Sequence, residues 1–414
     1  MRDFLARLYQ TRDTEKHDRT ASIAGRAGYR TPCLHYPHCV GCPLIDVPYP
    51  EQLMRKRAIV IESFARYSSL AALEVPRVAA APQRLGYRTR VKLVVRRNRD
   101  QIALGLYVPE SHRVIDITSC PVHPRPVNQA AQYLKKKILE LGIMPYDERD
   151  DSGELRYVDF RFSAVRHELS VTLVTRHSSF PAGVQLARSL MKRFPFVTGV
   201  VQNVNEARGN VIWGPGFRTL AGRETLMERI GDVKLVFPAA VFSQANPATA
   251  RKLYETVCQF ADLTGRETVL DLYCGVGPIS LFLAASARQL WGVDESELAI
   301  STAKQNARRN GRGNCRFFAG DVASTARKLT NDAGPIDLVV VNPPRKGVQP
   351  AAMEAIVEFG APKLIYVSCE PMTLARDLDR FVNAGYRTER LALFDMFPQT
   401  EQVESLALLI KRDV

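Results

Sequence analysis

The chain has 414 residues, 46% of them hydrophobic and 24% charged, with a net charge of +14. That length and apolar content exclude a disordered chain and allow two or three domains with cores of their own. No apolar run reaches the roughly 18 to 20 residues of a membrane span and residues 1–9 hold no apolar signal core, so a cytoplasmic protein with no membrane contact is expected.

The charge is unevenly placed: +3 over residues 1–30, +11 over 31–230 and zero over 231–414. A basic first half joined to a neutral second half is the pattern of a segment that grips phosphates beside one that does chemistry. Residues 1–30 are polar, mixed in charge and without periodicity, and a flexible tail is expected there.

The stretch CLHYPHCVGCP follows, with Cys33, Cys39 and Cys42 spaced C-x5-C-x2-C among prolines and glycine. Eight cysteines without a secretory signal point to metal or catalysis rather than disulfides. Three crowded thiolates need a fourth ligand, and Cys120 in DITSCPVHP is the candidate. Four sulfur ligands suit zinc or an iron–sulfur cluster. Spacing does not choose between them, although Cys-Pro at 42–43 and again at 120–121 leans toward the cluster.

Residues 50–66 have a helical pattern, with Leu53, Met54, Ile61, Phe64 and Ala65 sharing an apolar side, and read as a packing helix. From Leu85 the chain is strand-like and basic. In YRTRVKLV, period two sets Arg88, Arg90 and Lys92 on one sheet face, a surface suited to phosphates. Tyr87 and Tyr107 are near enough to stack on bases but read equally well as core, and Arg96, Arg97 and Arg99 are expected in a turn with Asn98 and Asp100. A helix over 128–141, a hairpin of 156–163 with 168–176, a helix over 184–193 and a strand over 198–204 complete an α+β platform.

VFPAAVFSQANP opens the second half, and Phe242, Gln244 and Asn246 alternate along one face of an expected strand end, which suggests ligand contact. The core signal is TVLDLYCGVGPISLFL. An apolar strand runs into Gly275-Val276-Gly277, and Pro278 suits the first turn of a helix. After a second strand comes Asp294, 17 residues beyond Gly277, where ribose hydroxyls need an acceptor. Ser280 stands where a dinucleotide fingerprint has its third glycine, so the turn reads as an S-adenosylmethionine (SAM) loop.

Strands are expected at 268–273, 289–293, 315–318, 337–341, 363–368, 390–394 and 403–410, a seven-stranded doubly wound sheet. Ligands bind beyond the carboxyl ends of such strands. Asn342-Pro343-Pro344-Arg345 follows the fourth strand, Ser368-Cys369-Glu370-Pro371 the fifth, and Glu404 opens the last. Methylation of oxygen or an exocyclic nitrogen has no use for a cysteine. Carbon 5 of a pyrimidine is a poor nucleophile until a thiolate adds to C6, and Cys369 stands where it could do so. The C5 proton must then be removed, for which Glu404, partly buried with a raised pKa, is the best candidate. Cys369 needs a lowered pKa, from the helix start after Pro371 or from Arg345.

C-x5-C-x2-C with its distant Cys-Pro, FSQANP, DLYCGVGPISL, NPPRKG, YVSCEPMTLARDL and FDMFPQTEQVESLALL together resemble the RNA uracil-C5-methyltransferase family over nearly the whole length. The resemblance implies a Rossmann-like SAM methyltransferase domain at 236–414, and an iron–sulfur segment with a basic α+β RNA-binding domain at 31–235. It implies a [4Fe-4S] cluster on Cys33, Cys39, Cys42 and Cys120. It further implies SAM contacts at Gln244, Tyr273, Asp294 and Asn342, nucleophile Cys369, base Glu404, and Phe242 against the target uracil. Asn342, where many members have Asp, and the short N-terminus, which leaves no room for a TRAM barrel, resemble the RlmC type acting on 23S rRNA. RNA, most of all 23S rRNA, is therefore the expected partner, and nothing calls for an obligate protein partner. Methylation of tRNA by the same chemistry, exocyclic-amine methylation suggested by Asn-Pro-Pro, and a non-catalytic RNA-binding iron–sulfur protein are the alternatives.

Overall fold

The computed structural model describes residues 31–412 except Arg99 and Asn210. The expected flexible tail lies outside the described residues. A helix, α1 (Tyr49–Phe64), and a two-residue strand, β1 (Val78–Ala79), precede a seven-stranded sheet. Its strands are β2 (Arg90–Asn98), β3 (Gln101–Tyr107), β4 (Val114–Asp116), β5 (Leu155–Ser163), β6 (Glu168–Thr175), β7 (Val197–Val204) and β8 (Gly216–Gly222), in the order β4-β3-β2-β5-β6-β7-β8. Helices α2 (Arg125–Glu140) and α3 (Pro181–Arg193) cover one face. Pairs are antiparallel except β6 with β7, which the α3 crossover makes parallel.

The expected alternation is present through the start of β2: Thr89, Val91 and Leu93 are buried, while Arg88, Arg90 and Lys92 are half-buried on the other side. Arg96 and Arg97 belong to β2 rather than to the expected turn. Antiparallel partners Ala103 and Ile102 extend the ladder to both of them, which local turn composition could not reveal.

A hairpin of β9 (Thr225–Ile230) and β10 (Val233–Pro238) leads into the second sheet. That sheet holds β11 (Thr268–Leu272), β12 (Gln289–Asp294), β13 (Cys315–Ala319), β14 (Leu338–Val341), β15 (Lys363–Ser368), β16 (Tyr386–Phe394) and β17 (Glu404–Lys411). The order is β1-β16-β17-β15-β14-β11-β12-β13, so the expected seven strands are joined by an eighth from far upstream. Val78 and Ala79 pair in parallel with Leu393 and Phe394. Both faces are covered, which is why β14 is an unbroken apolar run, Leu338-Val339-Val340-Val341, fully buried. Helices α4 (Pro247–Ala261), α5 (Pro278–Leu283), α6 (Glu297–Arg309), α7 (Val322–Ala333), α8 (Pro350–Phe359) and α9 (Pro371–Asn383) alternate with the strands. Four of the six open on proline, whose fixed φ suits a first helical turn and whose missing N–H costs nothing there.

Helix α1 packs as expected but on another face. Met54, Ile61 and Ala65 are exposed, and the buried side is Gln52, Lys56, Val60, Ser63 and Phe64. Val60 and Phe64 join Leu374 and Phe381 in the core of the second sheet. Residues upstream of the expected boundary at 235/236 thus contribute to the C-terminal body, as does the β9–β10 hairpin, whose Leu235 and Phe237 sit in its other core. The apolar pattern missed this face because two of its members are polar with buried partners. Lys56 pairs with Asp395, both fully buried, and Asp395 also accepts from the Tyr49 hydroxyl at 2.8 Å. The Gln52 amide donates to Gln399 Oε1 at 2.8 Å, and Gln52 Oε1 accepts the Gln399 N–H at 3.0 Å. Among the described residues no helix is long and apolar enough to cross a membrane.

Candidate active site

Strand register alone gathers the expected site residues along one edge of the second sheet. Ser368 of β15 lies opposite Ser405 of antiparallel β17, so Cys369 and Glu404 leave the pair side by side. Val341 of β14 is aligned with Tyr366 of β15 and with Leu272 of β11. Asn342 and Tyr273 therefore emerge next to each other, and the Asn342 N–H donates to Leu272 O at 3.3 Å. Asp294 ends β12, the next strand. Glu404, Cys369, Asn342, Tyr273 and Asp294, scattered over the second half of the sequence, form one row.

The loop after β11 has unusual backbone at three positions. Tyr273 is left-handed with φ 61°, a conformation that costs a non-glycine residue roughly 1–3 kcal/mol and clusters at ligand sites. Gly275 and Gly277 have φ 56° and 80°. A side chain at Gly275 would meet nothing within 4 Å, whereas one at Gly277 would come within 3.2 Å of the Phe317 ring. Gly275 thus leaves open the space where a ligand would lie, and Gly277 lets α5 pack. Asp294 holds this loop: one carboxylate oxygen accepts the Gly275 N–H at 2.9 Å and the other the Ser296 N–H at 2.9 Å. Each oxygen keeps a second lone pair for a ribose hydroxyl. Ser280, which replaces the third glycine, donates its hydroxyl to fully buried Asp271. Burial, with Asp294 adding, pushes the Asp271 carboxyl up to about 7.

Glu404 is 4% exposed and burial raises its carboxyl to about 7, in the direction the sequence suggested. Cys369 goes the other way from expectation. Its thiol is raised, first by burial and then by the Glu404 charge, while Arg345 opposes both through its charge and a hydrogen bond. Arg345 and the helix start after Pro371 are where they were expected, but desolvation outweighs them. Two neighbouring anions are disfavoured here, so the charge of Glu404 makes the Cys369 thiol harder to ionise.

The NPPRKG loop is clasped from α9 by a residue that the sequence reading missed. Asp377, fully buried, accepts the Val348 N–H at 2.8 Å and the Tyr366 hydroxyl at 2.7 Å. Arg376 donates to Lys346 O at 2.8 Å. A Cβ on Gly347, whose φ is 81°, would fall 2.4 Å from the Asp377 carboxylate. Asp377 sits on the helix that directly follows Cys369 and so anchors the loop carrying Arg345 to that helix; no local pattern announces it.

Phe242 and Gln244 lie in an extended loop rather than at a strand end, between β10 and α4. Phe242 is 70% exposed, with the Arg90 guanidinium 6.0 Å from its ring centre. Gln244 is half-buried. Asn246 does not share their face: its side-chain oxygen accepts the Thr249 N–H at 3.2 Å to cap α4, and its amide donates to Met396 O at 3.1 Å. The expected ligand contact at Asn246 is replaced by a cap, because an asparagine before proline at a helix start satisfies otherwise orphaned N–H groups.

Cys33, Cys39, Cys42 and Cys120 do converge, lining one cavity with Arg88 and His123. The Cys120 N–H donates to Asn128 Oδ1 at 3.1 Å, and Cys39 is held through its N–H to His35 O at 2.8 Å. Burial first, then the neighbouring cysteines, raises Cys42 to about 12. Among the described residues, however, no group of three or more His, Cys, Asp or Glu side chains is arranged to hold a metal ion. The four expected ligand cysteines therefore share one cavity, without a formed metal site among the described residues.

Comparison with known proteins follows the same lines. The sequence model of the family described as tRNA (Uracil-5-)-methyltransferase matches residues 48–412. An uncharacterised RNA methyltransferase of Geobacter sulfurreducens is 40% identical, covering 92% of this chain and 77% of its own length. One from Halalkalibacterium halodurans is 37% identical, covering 91% and 82%. Among solved structures, the Pyrococcus abyssi tRNA (uracil-54, C5)-methyltransferase in complex with S-adenosyl-L-homocysteine has a TM-score of 0.73 at 28% identity, covering 90% of this chain and 86% of that one.

Glu404 also sets a pH dependence of stability. Its folded pKa, about 7, lies above the ordinary 4.5, so the stability it contributes is fully present below pH 4.5 and is lost as pH rises through 7. Glu404→Gln is expected to match the parent near pH 4 and to exceed it at pH 8 by up to about 3 kcal/mol. Urea unfolding at the two pH values checks this, and an equal effect at both would contradict it.

Proposed function

Because the chain belongs to the tRNA (uracil-5-)-methyltransferase family and is a SAM-dependent RNA uracil-5 methyltransferase, we propose that it works through a covalent bond between Cys369 and C6 of the target uracil. The observation that carries this reading is the pairing of Cys369 with a buried Glu404 of raised pKa at the end of one strand pair. SAM supplies the methyl group. The Cys369 thiolate adds to C6, the C5–C6 double bond opens, and C5 takes the methyl as the sulfonium–methyl bond breaks and S-adenosylhomocysteine leaves. Glu404 takes the C5 proton, the electron pair left behind re-forms the double bond, and the Cys369–C6 bond breaks. A base with a pKa near 7 suits proton removal near neutrality.

We assign Gln244, Tyr273, Asp294 and Asn342 to the SAM site and Phe242 to the uracil. The open space at Gly275 and the row along the strand ends support this assignment. Arg345, hydrogen-bonded to Cys369, opposes burial and so favours the thiolate at attack. The cytoplasmic enzyme's substrate is, in our reading, a uridine of 23S rRNA, on the strength of Asn342. Transfer RNA is the second reading, favoured by the structural likeness to an enzyme whose name specifies tRNA uracil-54.

We further propose a [4Fe-4S] cluster on Cys33, Cys39, Cys42 and Cys120. In such a cluster each cysteine binds a different iron, so the sulfurs need to surround a cavity and do not need to meet at one ion. The four that line the cavity with Arg88 fit that demand. Nothing in the methyl transfer requires electrons, and the cluster's part is structural.

The tests differ by residue. Cys369→Ala is expected to abolish 5-methyluridine formation, read by mass spectrometry of digested RNA. Glu404→Gln should slow turnover roughly 10²–10⁴-fold while accumulating a denaturation-resistant protein–RNA species. Free methylated product from either variant at the parent rate would overturn the mechanism. For the cluster, anaerobically reconstituted protein is expected to carry iron and sulfide with broad visible absorption that Cys120→Ser removes. Stoichiometric zinc in place of iron would contradict the assignment.

A further inference from the structure

The face of the central sheet that α2 and α3 leave uncovered carries a line of alternating cations and aromatic rings that starts at the exposed Phe242. The Arg90 guanidinium lies 6.0 Å from the Phe242 ring centre. Lys92 follows on the same face of β2, two residues along. Its ammonium is 5.6 Å from the ring centre of Trp213, and the Trp213 and Phe217 rings are 6.0 Å apart.

The loop that carries Trp213 is fastened to the sheet through its backbone. Asn203 donates to Gly214 O at 2.8 Å and accepts the Gly214 N–H at 3.0 Å, and Asn205 donates to Val211 O and Ile212 O at 2.6 and 3.0 Å. A Cβ on Gly214 would fall 1.8 Å from Val204 O, so the loop lies closer to the strand than any side chain at that position allows. The ring rests against Val94, Tyr157 and Val174. A half-buried tryptophan pinned onto a sheet presents an apolar plate, and Val211 beside it is 61% exposed.

The cations along the line are under-neutralised. Asp159 pairs with both Arg90 and Arg161, at 3.6 and 3.0 Å. Lys92 is lowered by burial and by the charges of Arg90, Arg161 and Arg88, with Asp159 the acid that opposes them. Crowded cations that share one acid are stabilised by an incoming polyanion. Alternation of charge and ring is what a single strand of RNA needs, since phosphates recur along it and every base has a face to stack.

Resting on the reading that RNA is the substrate, we propose that this line binds the single strand next to the target uridine, Lys92 meeting a phosphate and Trp213 stacking a base a few nucleotides away.

The protein reports on this itself, because it has two tryptophans and Trp291 is 4% exposed in the second sheet. The experiment follows intrinsic emission and acrylamide quenching while 23S rRNA or unfractionated tRNA is titrated in, with binding measured separately by filter retention. Bound RNA is expected to change Trp213 emission and shield it from acrylamide, and Trp213→Phe to attenuate the change. Trp213→Ala should weaken binding by about tenfold or more at an unchanged salt slope, as loss of one stacked base does. Lys92→Ala should reduce the slope of log affinity against log salt by about 1. RNA retained with Trp213 emission and acrylamide access unchanged overturns the track and leaves the methylation reading standing. If neither RNA is retained, both fall.

Discussion

The antiparallel insertion of Glu404–Lys411 between two strands that run the other way is the constraint on which the site depends. In a wholly parallel sheet every strand ends at the ligand edge, and a residue at a strand start lies at the far end. Reversing one strand brings its first residue to the ligand edge. That is how Glu404, 35 positions after Cys369 in sequence, becomes its neighbour. A slip of one residue would turn Glu404 to the opposite face. Ser368 opposite Ser405, and Glu404 opposite Phe394, fix the register from both sides.

Buried charge then keeps that edge in place. The segment from Asp395 to Gln399, just ahead of Glu404, is held by Lys56, Tyr49 and Gln52 of α1. The NPPRKG loop is held by Asp377 of α9. Each of these groups sits where removing its partner would leave an uncompensated polar atom away from water, at a cost of about 1–3 kcal/mol for a hydrogen bond and more for a charge. The segment ahead of Glu404 is thus anchored to a helix that directly follows the Cys33–Cys42 segment, and Leu44 donates its N–H to Gln399 O at 3.0 Å. The N-terminal segment and the loop before Glu404 are thus packed against each other.

Much of this was legible in the sequence, and the failures share a cause. The strands of the second sheet read as apolar runs because both their faces are buried, and the glycine turn, Asp294, Cys369 and Glu404 fell where strand ends must fall. The raised pKa of Glu404 followed from burial alone. Cys369 was misjudged because the charge that lowers a thiol is visible as a nearby arginine, whereas the burial that raises it depends on packing from elsewhere. The buried face of α1 was missed because Gln52 and Lys56 look like surface residues until Gln399 and Asp395, more than 330 positions away, are brought against them. Asn246 looked like a ligand residue and is a cap, and Asp377 and Trp213 carried no local signal at all.

The most direct measurement uses RNA in which uracil carries fluorine at C5, incubated with the protein and SAM, denatured, and digested for peptide mass analysis. Fluorine cannot leave as a proton, so Glu404 has nothing to remove and the reaction stalls after methyl transfer. The account predicts an RNA adduct, mass-shifted by one methyl group, on the peptide that contains Cys369. Methylation of ordinary RNA by the same preparation, with no adduct on the fluorinated RNA or with one on another residue, would contradict it.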